Sequence, residues 1–158
     1  GAKPLNKLSE HFSWDEMTFS ETAVRNGIDN NPPDELLPNI QRMAAFMEQV
    51  RYVMGGRPIH ITSWYRCPAV NQLVGGSLVS MHMKGLACDL VVPDFGNPLK
   101  VAQELANSNL DYDQIIHEFG RWVHIGLAEG HRKQLLTAYH GADGKTVYVN
   151  GLQEIPHV

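Results

Sequence analysis

The sequence predicts a single α+β domain, and three observations carry that expectation. Helical periodicity and capping signals gather in the amino-terminal half, and β-rich runs dominate from Pro58 onward. At 158 residues and 43% hydrophobic content, the chain can bury one core without staples. A small antiparallel sheet with helices packed mainly from the amino-terminal half is the expected arrangement. The domain spans 1–158, with its core at about 8–127 and a hairpin extension at about 131–158.

Ser13-Trp14-Asp15-Glu16 has capping-box spacing, and Ser20 begins another short helix that ends near Gly27. The strongest helix lies between the breaker Asn30-Asn31-Pro32-Pro33 and Gly55-Gly56. Leu36, Ile40, Met43, Met47, Val50 and Met54 recur there at three- and four-residue steps, a stripe that reads as core packing. Pro38 leaves its start open. Pro58 to Ser63 and Leu86 to Val92 follow as strands. Asn97-Pro98 is a cap followed by proline at the first helical position, so a helix should run from Leu99 to about Asn107. Asp113 to Phe119 leads through Gly120-Arg121 into Trp122 to Leu127, which reads as a hairpin. Leu135 to Tyr139 and Thr146 to Val149 flank Gly141-Ala142-Asp143-Gly144 and form a second one. No internal repeat or low-complexity segment is present.

Charge excludes some partners. A formal net charge of -4, with Lys and Arg scattered rather than clustered, leaves no electrostatic footprint for nucleic acid. No apolar run approaches the ~20 residues of a membrane helix. The amino terminus has no basic region followed by an apolar core, so the chain is expected to be made in the cytoplasm without a signal peptide. A monomer is expected. Cys67 and Cys88 lack metal-ligand spacing and read as packing residues rather than a disulfide.

The most informative segment is Ser80-Met81-His82-Met83-Lys84-Gly85-Leu86-Ala87-Cys88-Asp89. It sets a histidine and a carboxylate around a glycine and an alanine, where bulk is lowest and backbone freedom greatest. His124 lies in Trp122-Val123-His124-Ile125-Gly126, whose alternation puts it on one strand face with Val123, Ile125 and Leu127 on the other. Two histidines and one carboxylate, His82, Asp89 and His124, suit a catalytic Zn2+. Three ligands leave one of about four positions for water, whose pKa zinc lowers to ~7. Nitrogen and oxygen ligands also leave more positive charge on the metal than thiolates would, which favours polarising a carbonyl.

Ser80 to Asp89 matches S-x-H-x-x-G-x-A-x-D at every fixed position, Trp122-Val123-His124-Ile125 follows it, and Ser63-Trp64-Tyr65-Arg66 matches S-x-Y-R. Together these resemble the zinc D-alanyl-D-alanine carboxypeptidase family, which includes bacterial carboxypeptidases, dipeptidases and phage endolysins. The resemblance covers roughly Leu8 to Leu127 and is strongest to the compact branch found in phage and prophage proteins. It implies cleavage of an amide bond in peptidoglycan stem peptides and action at the cell wall, with Arg66 facing the substrate. Neither carboxypeptidase nor endopeptidase is singled out. Two alternatives stand beside it: a non-catalytic wall-binding or phage structural module with the same fold, and a dipeptidase acting on free D-Ala-D-Ala-like dipeptides.

Such a site needs a proton shuttle. Glu118 is the expected one, because similar phage proteins carry a glutamate in an equivalent strand. Better-known relatives have an acid three residues before the last histidine, where this chain has Arg121. A two-residue turn would set His117 opposite His124, whereas a three-residue turn favours Glu118 on the metal face. Arg66 would hold a carboxylate or polarised carbonyl by paired hydrogen bonds. Ser80 and Gln114 are candidate substrate-binding residues. His11, His60, His131, His140 and His157 have no ligand context, and Trp64 and Tyr65 read as core.

Overall fold

The computed structural model describes residues 6–156, so His157 lies outside the described residues. The architecture is α+β, with five α-helices and six strands among the described residues. The strands form one sheet in the order β1-β2-β4-β3-β5-β6, where β1 is His60–Ser63, β2 Ala87–Val91, β3 Gln114–Glu118, β4 Trp122–Gly126, β5 Gln134–His140 and β6 Thr146–Asn150. Contacts gather into two compact units, the described parts of 1–48 with 61–88, and of 49–60 with 89–158. Neither is contiguous in sequence.

In the first unit, helix α1 (Trp14–Thr18) starts on the expected capping box. Ser13 Oγ accepts from Glu16 N at 3.1 Å while Glu16 Oε1 accepts from Ser13 N at 3.0 Å, so two otherwise orphaned amides are satisfied. Helix α2 (Glu21–Arg25) is capped by Ser20, and Gly27 follows it at φ +62°, as the sequence implied. A 3-10 turn at Asp34–Leu36 leads into α3 (Leu37–Val53). Pro38 is thus the second residue of α3, where a missing amide hydrogen is harmless. The methionine stripe is core: Ile40, Met43, Met47, Val50 and Met54 are fully buried.

Helix α4 (Pro68–Leu73) was not expected. Its proline sits at the helix start, but six residues are too few to build a periodic pattern. It lies beside α2 and buries Val70 and Asn71.

In the second unit, α5 (Pro98–Ala106) has the predicted cap, with Asn97 Oδ1 accepting from Lys100 N at 2.9 Å. Its buried face, Leu99, Val101, Ala102 and Leu105, packs on β3 and β4. β3 and β4 form the expected antiparallel hairpin, with Glu118 paired to Trp122 and Ile116 to His124. β5 and β6 form the second, with Leu136 paired to Asn150.

The sheet is mostly antiparallel, as expected, but β3 and β5 run parallel, Gln114 pairing with Gln134. The reason is geometric. Gly126 at the end of β4 and Gln134 at the start of β5 both pair with Gln114, so residues 127–133 need only cross the end of β3. Asp113 clamps that crossing, accepting from Arg132 N at 3.1 Å, Nε at 3.1 Å and Nη2 at 2.8 Å. Cys67 and Cys88 are not joined in a disulfide, and Cys88 is buried.

Candidate metal centre

His82 is held by its own segment. Met81–Lys84 form a 3-10 turn whose first amides are capped by Ser80, with Ser80 Oγ accepting from His82 N at 3.2 Å. Gly85 ends the turn at φ +75°, a conformation that favours glycine, and donates to His82 O at 3.2 Å. A Cβ there would also lie 2.6 Å from Ile40 Cγ1. Both facts require the glycine that the sequence motif contains.

The imidazole is oriented by the chain just before Arg66. His82 Nδ1 lies 2.6 Å from Trp64 O. A carbonyl oxygen only accepts, so Nδ1 carries the proton and the lone pair of the neutral ring is on Nε2. A backbone acceptor behind one ring nitrogen is the usual device for aiming the other at a metal. Trp64 is fully buried and its Nε1 donates to Gly85 O at 3.0 Å, tying both ends of the turn to one rigid residue.

Arg66 is set by Asn30, which in the sequence stands out only as part of the breaker Asn30-Asn31-Pro32-Pro33. Asn30 is buried, and its Nδ2 donates to Thr18 O at 2.8 Å and Tyr65 O at 3.0 Å while its Oδ1 accepts from Cys67 N at 2.8 Å. It therefore staples the backbone on both sides of Arg66. Arg66 N donates to His82 O at 3.2 Å, so the arginine and the histidine belong to one hydrogen-bonded piece. Tyr65 is buried beside them; burial pushes its phenol above the usual value, and the charges of Cys67 and Glu35 add to that. It stays a neutral hydroxyl at physiological pH.

Asp89 and His124 are buried, and His124 Nδ1 lies 3.0 Å from Asp89 Oδ1. Glu118 Oε1 is 3.6 Å from the same nitrogen. The register explains why it is Glu118 and not His117. The connection is the three residues Phe119, Gly120 and Arg121, with Phe119 and Gly120 both at positive φ and Arg121 N donating to Glu118 O at 3.0 Å. Side chains alternate along a strand, so Gln114, Ile116 and Glu118 share the face of His124. His117 lies on the other face, where its Nδ1 meets Gln153 O at 3.0 Å. Gln114 shares the Glu118 face, with its Nε2 donating to Gln134 Oε1 at 2.8 Å.

His82, Asp89 and His124 each offer one ligand atom, and these atoms all lie within 4.8 Å of one another. The donor chemistry fits a divalent cation. Two neutral imidazoles and a carboxylate suit a borderline ion such as zinc, and a second carboxylate, Glu118, adds negative charge beside the set. A cation offsets the desolvation of two nearly buried carboxylates.

Such a donor set is of the kind that can hold a metal ion such as zinc through three side chains. A family model described as Peptidase M15 matches residues 10–126, well over half the chain, and the chain belongs to that family. Its peptidases are zinc-dependent. No individual curated protein matches the chain.

Proposed function

We propose that this protein is a zinc peptidase that hydrolyses an amide bond in the peptide stems of peptidoglycan, acting at the cell wall as a carboxypeptidase or an endopeptidase. The observation that carries the reading is the His82, Asp89 and His124 cluster with Glu118 Oε1 3.6 Å from His124 Nδ1, in a chain of the Peptidase M15 family. Zinc held by these three side chains would supply Lewis acidity and a water of lowered pKa, ~7 in comparable sites.

The chain's own groups do the rest. Glu118 accepts the proton of the attacking water and delivers it to the amide nitrogen as the C–N bond breaks, so the products are a carboxylate and an amine. Its place on a paired strand beside His124 keeps the carboxylate within reach of the ligand set. Arg66 holds a substrate carboxylate or the oxygen on which negative charge develops, through charge-assisted hydrogen bonds. Ser80 and Gln114 contribute polar contacts to the peptide. No helix of the described residues is long and apolar enough to cross a membrane.

The test is digestion of purified peptidoglycan, defined stem peptides and free D-Ala-D-Ala by the zinc-loaded protein. Glu118→Gln should lower kcat by about 10²–10⁴-fold while retaining zinc, and His124→Ala should lose both zinc and turnover. Stoichiometric zinc without cleavage of any of these would replace the enzyme reading by that of a binding module. Cleavage of the free dipeptide alone would make it a dipeptidase.

A further inference from the structure

Of the three buried histidines among the described residues, only His117 takes no part in the proposed reaction. It is 2% exposed and sits on the face of β3 turned away from Glu118 and His124. There it lines a cleft of about 490 Å³ with Pro98, Leu99, Phe119, Glu154 and Ile155, all in the second unit. That volume lies within the range of small-molecule sites.

The walls of the cleft are fixed. The chain after β6 is tied to β5, with Gly151 N donating to Leu135 O at 2.8 Å and Gln153 N to Thr137 Oγ1 at 3.0 Å. It meets the β3–β4 turn, since a Cβ on Gly120 would lie 3.3 Å from Ile155 Cγ1. Phe119 occupies that turn at φ +59°, where asparagine, aspartate or glycine is the ordinary residue and a bulky side chain is strained. Its ring is held there all the same, stacked on His140 at 4.4 Å between centroids, with Phe119 N donating to Ala138 O at 2.8 Å. Turn chemistry disfavours a phenylalanine at this position; what it provides is an aromatic wall.

The polar groups define the occupant. His117 Nδ1 donates to Gln153 O at 3.0 Å, so Nε2 of the neutral ring is an acceptor, and no donor among the described residues meets it. Leu99 N is the first amide of α5, because Pro98 has none. Lys100 N and Val101 N are taken by Asn97 Oδ1 and O, while Leu99 N meets no acceptor among the described residues. Glu154 adds a second acceptor. The positive end of α5 disfavours a cation, whereas Glu154 and the Nε2 lone pair disfavour an anion. A neutral ligand that both donates and accepts remains. An extended peptide would dock along a sheet edge, but β3 lies between β4 and β5 and has none. A compact ring with hydroxyls around its rim and C–H groups on its faces suits both the separated polar groups and the apolar walls.

We propose that this cleft is a carbohydrate-binding site, in which His117 Nε2 and Glu154 accept from sugar hydroxyls, Leu99 N donates to one, and Phe119 covers the ring. It lies on the opposite face of β3 from the side chains of the proposed reaction, and the inference does not depend on the peptidase reading.

The experiment is an NMR titration of the full zinc-loaded protein with N,N′-diacetylchitobiose and with cellobiose. The His117 Nε2 resonance should move upfield as its lone pair accepts a hydrogen bond. The amides of Leu99, Gly120 and Glu154 should shift with it, and those of Ser80 to Asp89 should not. Glu154→Ala and Phe119→Asn should each weaken binding about tenfold. Glu154 is exposed, so its variant keeps the test decisive even if Phe119→Asn is less stable. No saturable shift with either sugar, shifts confined to Ser80 to Asp89, or unchanged binding in both variants overturns the proposal. Saturation of the same amides by inorganic phosphate, by putrescine or by a neutral alanine dipeptide amide, without saturation by either sugar, overturns it in favour of an anion, a cation or a peptide. Peptide-free glycan strands from purified peptidoglycan separate the sources of the sugar. Tighter binding to the strands than to the disaccharides supports a wall glycan, and equal binding supports a free saccharide, both within the proposed class. No arm needs cleavage, so failure of the peptidase reading and failure of this site are read separately.

Discussion

Replacing Gly85 by alanine tests the construction of the metal segment without touching a ligand. At φ +75° an L-residue is strained by about 1–2 kcal/mol. The added methyl would start 2.6 Å from Ile40 Cγ1, and Ile40 is fully buried, so relief requires core movement of about 1–3 kcal/mol. Together these give a destabilisation of about 2–5 kcal/mol. Urea unfolding followed by tryptophan fluorescence measures this directly, and the melting temperature should fall by roughly 5–15 °C for a chain of this size. Zinc affinity should weaken as well, because the Gly85 amide and carbonyl bond to His82 O and Trp64 Nε1. Gly130→Ala is the control: nothing lies within 4 Å of a Cβ there, and its φ is ordinary. If Gly85→Ala unfolds within about 0.5 kcal/mol of the wild type, the argument that this turn needs glycine is wrong.

Asn30→Ala removes three hydrogen bonds around Arg66 and should destabilise by about 2–3 kcal/mol; under the proposed function it should also raise KM more than it lowers kcat, and an unchanged KM would refute the positioning role. Hydrogen bonds from the Arg132 guanidinium hold the Asp113 carboxyl below its ordinary value, so it stabilises the fold above an unfolded pKa of about 3.9, and that contribution is lost as pH falls through the folded value. The stability gap between wild type and Asp113→Asn, about 1 kcal/mol once the exposure of Arg132 is discounted, should therefore be full at pH 7 and narrow below about pH 4; a gap constant from pH 7 to 3 would contradict the ion pair. Zinc at about 100 times its Kd should stabilise the wild type by about 2.7 kcal/mol in thermal unfolding and leave Asp89→Ala unmoved. Equal stabilisation of both would remove Asp89 from the ligand set.

The sequence alone determined what local chemistry decides. The Ser13 capping box, the Asn97-Pro98 helix start and the two hairpins depend on residues a few positions apart, and each stands where it was expected. The candidate trio was legible for a related reason: His82 and Asp89 share one short segment whose glycine reports a backbone conformation, and His124 announces its face by strand alternation, and the fold brings the three together. What remained open turned on a single residue in a turn. Only the folded hairpin shows that Phe119, Gly120 and Arg121 intervene between paired residues, which puts Glu118 rather than His117 beside His124.

Tertiary structure alone decided the rest, because the partners are distant in sequence. Nothing near Asn30 marks it as the staple of Tyr65 and Cys67, and nothing near Trp64 marks its carbonyl as the acceptor that fixes the His82 tautomer. The parallel pairing of β3 with β5 likewise arises from where residues 127–133 cross, held by Asp113 and Arg132, and no periodicity within either strand encodes it. Local patterns chose the elements and the candidate site's side chains; long-range hydrogen bonds aimed them.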